Sequence, residues 1–430
     1  MSNFVFKMPF ARSFISSSLL GLGLYSLCAA LTLPSAFAEK NEIQFWHWWN
    51  SASEVKNIDV LNRHLNKHGL VWTNTAANHS SSSLYLAQIS TQLKEQLPDA
   101  AMLDSSEVHN YDHAFSLVHL NPVAQAQDWE EVIPLAIQDQ AKHQGHWVSA
   151  PLNSHSSNWL WINKELFMRL KLPIPETWQD LITVLERAQA LGIPALATPR
   201  DNWEKTLLFE LVVLSTGGLE FYRNVFVEQQ SSPADKQILA EALLRFKQLS
   251  NYFSANTNNL SWDQATAQLA QGKVLMQVHG SWVISELTVL GAEAEHDYLC
   301  VRFPGTQAAY IFHSDHVVFF KSAQNQINNQ LKLARLLLDK DFQRELSITS
   351  GAAPARVDID IQGFNHCSQK NIQELRMANM RRAVMPSINR NNLEQIVGDY
   401  LAQRINTSTA ATQVLQLARS PSTYNATSSP

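Results

Sequence analysis

The sequence lacks an excess of basic residues, an internal repeat and any block of like charges. It carries 33 Lys and Arg against 38 Asp and Glu, and this mildly acidic balance argues against nucleic acid or an anionic membrane as a partner. Beyond the first 38 residues, no segment is apolar enough to span a bilayer. The length leaves room for two or three domains.

Signatures of catalysis are also missing. The chain contains no HExxH, GxSxG, phosphate-binding loop or CxxC pattern. His109 and His113 in EVHNYDH have a spacing that can bind zinc on a helix, but 15 histidines make such a pair common by chance. Asp104 and Glu107 resemble the carboxylate pair of a glycoside hydrolase, and no second feature supports that alternative. We therefore predict no enzyme, no metal site and no cofactor.

The first 38 residues have the organisation of a secretory signal peptide. Lys7 and Arg12 precede the apolar run SFISSSLLGLGLYSLCAAL, and the small residues of SAFA end at Ala38 as a cleavage site. Lipid attachment at Cys28 is the alternative, although its neighbours suit lipidation poorly. We predict export to the periplasm with cleavage near Ala38.

Export bears on the redox state of Cys300 and Cys367, the two cysteines beyond the leader. An oxidising compartment favours a disulfide between them. Such a bridge would close a long loop and stabilise the fold by roughly 4 kcal/mol. Two free buried thiols are the alternative.

Strand and helix patterns alternate after the leader. NEIQFWHWW, LVWTNTA and DAAMLD are typical of strands, and SEVKNIDVLNRHLNKHG and SLYLAQISTQLKEQL of the helices between them. This alternation indicates an α/β fold with parallel βαβ units. In the second half, Thr177 and Asp180 have the spacing of a helix capping box. NQLKLARLLLDKDFQRELSITSG is predicted as a single helix, and the polar tail 421–430 as flexible.

Tryptophan is abundant, with 12 residues, and three of them lie in FWHWWNSASE. Trp46 and Trp48 alternate on one side of the predicted strand, and we assign Trp46 to the core. Trp48 and Trp49 lie where the strand ends, at the edge where ligands of such sheets gather. Trp159 and Trp161 alternate within NWLWIN and are predicted to pack inside the fold rather than to contact ligand.

Seven segments in succession resemble one family. They are WHWWNSASEVKNIDVL, HWVSAPLNSHSSNWLWINK, PETWQDL, HGSWVISEL, VRFPGTQ, FHSDHVVFFK and GAAPARVDI. Together they resemble the periplasmic glucose/mannose-binding proteins of bacterial ABC transporters, in extracellular solute-binding protein family 1. The resemblance implies a two-lobed periplasmic-binding-protein fold with the ligand cleft between the lobes. It places the N-terminal lobe at 39–152 and 314–352, and the C-terminal lobe at 153–313 and 353–420.

The resemblance also implies a sugar site. A tryptophan ring suits the apolar face of a pyranose, and carboxylates and amides suit its hydroxyls. Glu54 has an alternative role, since an acid in the first turn favours the helix dipole. The implied ligand-binding residues are Trp48, Trp49, Glu54, His155, Asn158, Trp282 and Asp315.

Several positions depart from the family pattern. Ser350 stands where a lysine is expected, Met102 where a glutamine is expected, and no histidine occurs near Val384. Lost donors of about 1 kcal/mol each weaken binding considerably, so we predict poor binding of glucose. The predicted function is delivery of a sugar to an ABC permease, by a monomer. The alternatives are a ligand-binding protein that signals to a membrane histidine kinase, or a secreted glycosidase.

Overall fold

The computed structural model describes five parts of the chain. These are residues 42–76, 97–109, 117–321, 326–377 and 387–419, with 387–390 described for the backbone alone. The predicted signal peptide at 1–38, nearly all of the helix predicted at 83–97, and the tail at 421–430 lie outside them. Within these five parts, we find no helix of the length and apolarity that a membrane crossing requires.

Thirteen strands occur in the described parts. In chain order they are β1 Glu42–His47, β2 Val71–Ala76, β3 Ala100–Asp104, β4 Lys142–His143, β5 His146–Trp147, β6 Ser149–Pro151, β7 Asn153–Ser156, β8 Trp159–Asn163, β9 Met276–His279, β10 Tyr298–Arg302, β11 Phe312–His313, β12 Asp315–Phe319 and β13 Ala353–Pro354.

The same parts contain fifteen α-helices. They are α1 Ala52–Lys67, α2 Asn121–Ala126, α3 Trp129–Val132, α4 Leu135–Ala141, α5 Lys164–Met168, α6 Trp178–Ala190, α7 Asn202–Tyr222, α8 Asp235–Ser250, α9 Trp262–Ala270, α10 Val283–Val289, α11 Ile327–Leu337, α12 Lys340–Ser350, α13 His366–Arg376, α14 Ser387–Leu401 and α15 Thr407–Leu417.

The larger sheet has five strands in the order β2-β1-β3-β12-β6. β1 runs parallel to β2 and to β3, which confirms the predicted βαβ start. β12 lies antiparallel between β3 and β6. Alternate residues of β1 are buried, and Ile43 and Phe45 belong to the core of this lobe. We call this sheet and the helices packed on it the first lobe.

The second lobe contains an antiparallel sheet in the order β10-β8-β9. Trp159 and Trp161 of β8 are fully buried, which confirms the prediction that they pack inside the fold. The guanidinium of Arg302 lies 3.8 Å from the ring centre of Trp159 and forms an ion pair with Glu374. The capping box at Thr177 and Asp180 is confirmed at the start of α6.

The segment predicted as one helix at 329–350 is two helices, α11 and α12. The break has a local cause, because the Asp339 side chain accepts hydrogen bonds from the backbone N–H groups of Asp341 and Phe342 at 3.0 and 3.2 Å. A capping aspartate satisfies donors that a new helix leaves unpaired. Gly351 ends α12 with a φ of 72°.

The predicted disulfide is present. Cys300 of β10 and Cys367 of α13 are bonded, with 6.0 Å between their Cα atoms, across a separation of 67 residues. Both side chains are buried in a small apolar cluster behind β8. The bridge therefore attaches a late helix to the sheet of the second lobe.

Three short segments connect the two lobes. β6 continues into β7, β11 continues into β12, and β13 pairs with β7. Asn153 joins the first two segments, because its amide donates to the Asp315 carboxylate at 2.9 Å and its side-chain oxygen accepts from the Asp315 N–H at 3.1 Å. The predicted lobe limits fall at these connections and stay a prediction.

Candidate ligand-binding site

Six aromatic rings lie together where the connecting segments meet the second lobe. His155 belongs to β7, His313 to β11, His279 ends β9, and Trp282 comes directly before α10. The ring centres of His155 and Trp282 are 5.5 Å apart, and those of Trp282 and His313 are 5.2 Å apart. We call the aromatic cluster the group formed by His155, Trp203, Trp262, His279, Trp282 and His313.

His279 lies in the middle of the aromatic cluster. Its ring centre is 5.0 Å from that of Trp282, 5.2 Å from that of Trp203 and 5.7 Å from that of Trp262. Gly280 makes this packing possible, because a Cβ atom there would lie 2.2 Å from the Trp282 ring. A side chain at position 280 would therefore displace the ring.

Three ring N–H groups of this cluster are buried without a hydrogen-bond partner: those of Trp203, His279 and Trp282. The Nδ1 atom of His279 accepts from the backbone N–H of Gly280 at 3.1 Å, so Nε2 carries the proton of the neutral ring. Unpaired buried donors are rare in proteins and often mark a functional site. These three donors can bind a ligand that supplies acceptors.

Burial shifts the pKa values of four ionisable side chains of the site towards the neutral form. Burial lowers the pKa of His279 to about 3 and the pKa of His155 well below its usual range, and nearby His313 adds to both effects. Burial raises the pKa of Asp315 to about 7 and the pKa of Glu204 to about 8. At neutral pH the two histidines are therefore uncharged, Glu204 is mostly protonated and Asp315 is partly ionised.

Helices of the two lobes also touch beside the site. The backbone N–H of Ser53, in the first turn of α1, donates to Glu286 of α10 at 3.1 Å. The hydroxyl of Ser285 donates to that of Ser53 at 2.9 Å. At the end of α12, a Cβ atom on Gly351 would lie 2.5 Å from Cβ of Ile284. The first turn of α1 and the end of α12 therefore contact α10 directly.

We expect Gly351→Ala to favour an open arrangement of the lobes, because the added methyl group clashes with α10 and strains a residue of positive φ. Small-angle scattering should show a larger radius of gyration than for the unchanged protein. Gly192→Ala is the matched control, since Gly192 has a φ of 68° and no atom within 4 Å of the added Cβ. Equal radii for the two variants would contradict this expectation.

Three of the residues implied by the resemblance come together in the structure. Trp282 and His155 belong to the aromatic cluster, and Nε2 of His155 lies 3.9 Å from the Asp315 carboxylate. Nδ1 of His155 is 3.0 Å from the hydroxyl of Ser281, directly before Trp282. Their contact with a ligand stays a prediction.

Two other residues implied by the resemblance, Glu54 and Asn158, have structural roles. Glu54 caps α1, accepting from the N–H groups of Asn50 and Ser51 at 3.0 and 2.8 Å. The Asn158 amide is fully buried, donates to the carbonyl of Ala309 at 3.0 Å and accepts from Arg302 at 2.8 Å. These hydrogen bonds explain why a glutamate and an asparagine occupy the two positions. Ligand contact by either residue stays a prediction.

The tryptophans at the end of β1 are arranged differently from the expectation. Trp49 is only 4% exposed and packs in the core of the first lobe, whereas Trp46 is half-buried against a smaller cluster. β1 ends at His47. The alternation of side chains along a strand, which led to Trp46 being assigned to the core, therefore says nothing about the position of Trp49. Trp48 is half-buried, and its role as a platform stays a prediction.

The structure describes two of the positions that depart from the family pattern, Met102 and Ser350. Met102 is fully buried in the core of the first lobe. Ser350 is buried and its hydroxyl accepts from the N–H of Ala352 at 3.2 Å. His113 and Val384 lie outside the described residues. Within the described ranges, no group of three or more His, Cys, Asp or Glu side chains has the arrangement of a metal site.

Sequence reasoning missed several members of the aromatic cluster. His279 and His313 occur in HGSWVISEL and FHSDHVVFFK, the segments from which Trp282 and Asp315 were chosen. Trp203 and Trp262 lie in the first turns of α7 and α9. The tryptophan excess was the available signal, but neighbours brought together by tertiary packing cannot be read from local patterns.

Asp315→Asn tests the electrostatics of the connecting segments. Because the folded-state pKa of Asp315 is raised to about 7, the folded protein retains a proton there that the unfolded chain loses near pH 4. This contribution to stability is complete at low pH and is lost as pH rises towards 7 and above. The free energy of unfolding of Asp315→Asn should therefore improve, relative to the unchanged protein, between pH 5 and pH 8. Urea unfolding at both values measures this difference, and a constant difference would contradict it.

Comparison with known proteins identifies the family. The model for bacterial extracellular solute-binding proteins matches residues 86–325. A "probable sugar-binding periplasmic protein" of Brucella melitensis is 30% identical over 370 residues, covering 86% of this chain and 88% of the relative. One with the same description from Mesorhizobium japonicum is 31% identical over 355 residues, covering 82% of this chain and 85% of the relative. The chain belongs to the bacterial extracellular solute-binding protein family.

Solved structures agree on the fold. A chitin oligosaccharide binding protein superposes with a TM-score of 0.74 at 17% identity, covering 88% of this chain and 98% of the other. Maltose-bound T. maritima MalE3 has a TM-score of 0.72 at 16% identity, covering 88% and 99%. The fold is thus the two-lobed α/β fold of periplasmic solute-binding proteins.

Proposed function

We propose that this protein binds a carbohydrate in the periplasm and delivers it to an ABC importer. The aromatic cluster supports this proposal, because it combines flat apolar rings with unpaired N–H donors at the junction of the two lobes. The curated relatives described as sugar-binding periplasmic proteins support it as well.

The chemistry of the aromatic cluster suits a sugar ring. The face of a pyranose presents C–H groups that pack on an indole, while its ring and hydroxyl oxygens accept hydrogen bonds. Trp203 and Trp282 supply both features, since each has a half-buried ring and a buried N–H. A small uncharged metabolite without a flat face would use neither ring.

A thermal-shift screen of mono- and disaccharides tests the proposal. A ligand that binds only the folded protein raises its melting temperature, and isothermal titration then gives the affinity of each hit. Tryptophan fluorescence should change on saturation because two indoles border the site. If no saccharide shifts the melting temperature or the fluorescence, the proposal is wrong.

Free glucose should bind weakly, with a dissociation constant well above about 1 μM. The expected family lysine is replaced by Ser350, whose hydroxyl is already used by the backbone of Ala352. At the expected glutamine, Met102 contributes only apolar packing. Isothermal titration of the mature protein with glucose measures the affinity, with the best saccharide of the screen as the positive control. A constant at or below about 1 μM would show that other residues replace these contacts.

The cellular setting follows from the same proposal. We propose that cleavage near Ala38 releases a monomer, with its N-terminal lobe at 39–152 and 314–352. Each lobe of such a protein would contact a membrane permease when the two are closed on ligand. N-terminal sequencing of periplasmic material and its elution volume on size exclusion test the cleavage site and the monomer.

A further inference from the structure

The aromatic cluster offers hydrogen-bond donors as a group. The buried N–H groups of Trp203, His279 and Trp282 lack partners, and the three ring centres are 5.0 to 6.2 Å apart. A sugar hydroxyl that accepts one of these bonds still needs an acceptor for its own proton. An ionised carboxylate accepts only, through two oxygens and about four lone pairs. Donors grouped in this way suit a carboxylate better than a row of hydroxyls.

The histidines of the cluster favour the same kind of ligand. His313 lowers the pKa of both His155 and His279, in addition to the effect of burial. A proton on His313 therefore disfavours protonation of either neighbouring ring. An anion placed among the three rings would raise the pKa of the nearest ring.

The carboxylates around the cluster do not exclude an anion. Glu204 and His279 line one cavity, and the raised pKa of Glu204 keeps it protonated at neutral pH. Asp315 titrates near neutrality, so its opposition to an anion weakens as pH falls. The titratable and charged groups on the elements packed around His279 and Asp315 are Glu54, Asp104, His155, Arg200, Asp201, Glu204, Asp263, Glu286 and His313.

We propose that the sugar bound at the aromatic cluster is acidic, namely a uronic acid or an oligosaccharide that contains one. Its carboxylate accepts hydrogen bonds from Trp203, His279 and Trp282, and the sugar ring lies against the indoles. This inference rests on the proposed function and adds the chemical class of the ligand.

The first experiment compares charged and uncharged forms of one sugar by isothermal titration. Galacturonate and glucuronate are the probes, and their methyl esters, galactose and glucose are the neutral counterparts. Because hydrogen bonds to a charged acceptor are the stronger ones, we expect a uronate to bind at least about tenfold more tightly than its ester. Its affinity should fall from pH 5.5 to pH 8, as Asp315 becomes charged and repels the ligand carboxylate.

The second experiment measures the uptake of protons on ligand binding. A carboxylate bound near Asp315 raises the pKa of that side chain above about 7, so uronate binding should take up protons at about pH 7 to 8. The binding enthalpy will then depend on the ionisation enthalpy of the buffer. Asp315→Asn keeps a side chain of the same size but cannot titrate, and it should abolish most of this dependence. Trp282→Phe keeps a ring and should weaken uronate binding about tenfold, whereas Trp178→Phe, outside the cluster, should not.

The outcomes separate the two proposals. Neutral sugars that bind as tightly as uronates, or uronates that bind without proton uptake, overturn the acidic ligand and leave a carbohydrate-binding protein. If no saccharide of the wider screen binds, both proposals are overturned. Tight uronate binding that is lost in the methyl ester supports the acidic ligand.

Discussion

Replacing Cys300 and Cys367 together by alanine should lower the free energy of unfolding by about 4 kcal/mol. The bridge joins residues separated by 67 positions, so it removes much of the freedom of the unfolded chain. Urea unfolding of the oxidised protein and of the double variant measures the loss. Changing both residues avoids the reactive thiol that a single substitution would leave.

The unchanged protein after reduction is the control for this experiment. Its free energy of unfolding should fall by a similar amount, because reduction breaks the bond without altering side-chain volume much. A double variant within about 1 kcal/mol of the oxidised protein would show that the buried cluster around β8 holds α13 without the bridge, against the loop-closure argument.

Trp282→Ala should weaken saccharide binding about 100-fold or more, which corresponds to about 2.7 kcal/mol. The substitution removes a ring that contacts four other rings of the cluster, together with one of its three unpaired donors. Titration with the best saccharide of the screen measures the loss. Urea unfolding of the variant establishes that it remains folded.

Trp178→Ala is the matched control for this prediction. Trp178 is half-buried in the second lobe, beside Arg245 and outside the aromatic cluster. Its loss should leave the affinity within about twofold, since it touches none of the rings described above. Comparable losses of affinity in both variants would place the site elsewhere.

The regular elements of the fold were predictable because they depend on local patterns. The alternating apolar residues of β1 and the capping box at Thr177 are short-range signals, and the structure confirms both. The break at Asp339 was missed because an apolar periodicity continues through it. A capping aspartate inside a helical pattern was the signal that should have divided the segment.

The site was only partly predictable. Trp282 and Asp315 were chosen from the family resemblance, and the structure places them near each other around His155. Trp203 comes from a helix far along the chain, and its approach to His279 depends on tertiary packing alone. The burial of Trp49 depends on how the chain turns after β1, which strand periodicity does not determine.

The position of β12 has a consequence for how the protein is made. This strand lies between β3 and β6 in the first lobe, yet it follows β3 by some two hundred residues of chain. The sheet therefore cannot be completed until most of the polypeptide has been synthesised, and contacts of such long range form slowly. For the exported chain that we propose, this delay favours secretion. Translocation can proceed while the first lobe is still unfolded. The late synthesis of β12 determines when the first lobe can fold.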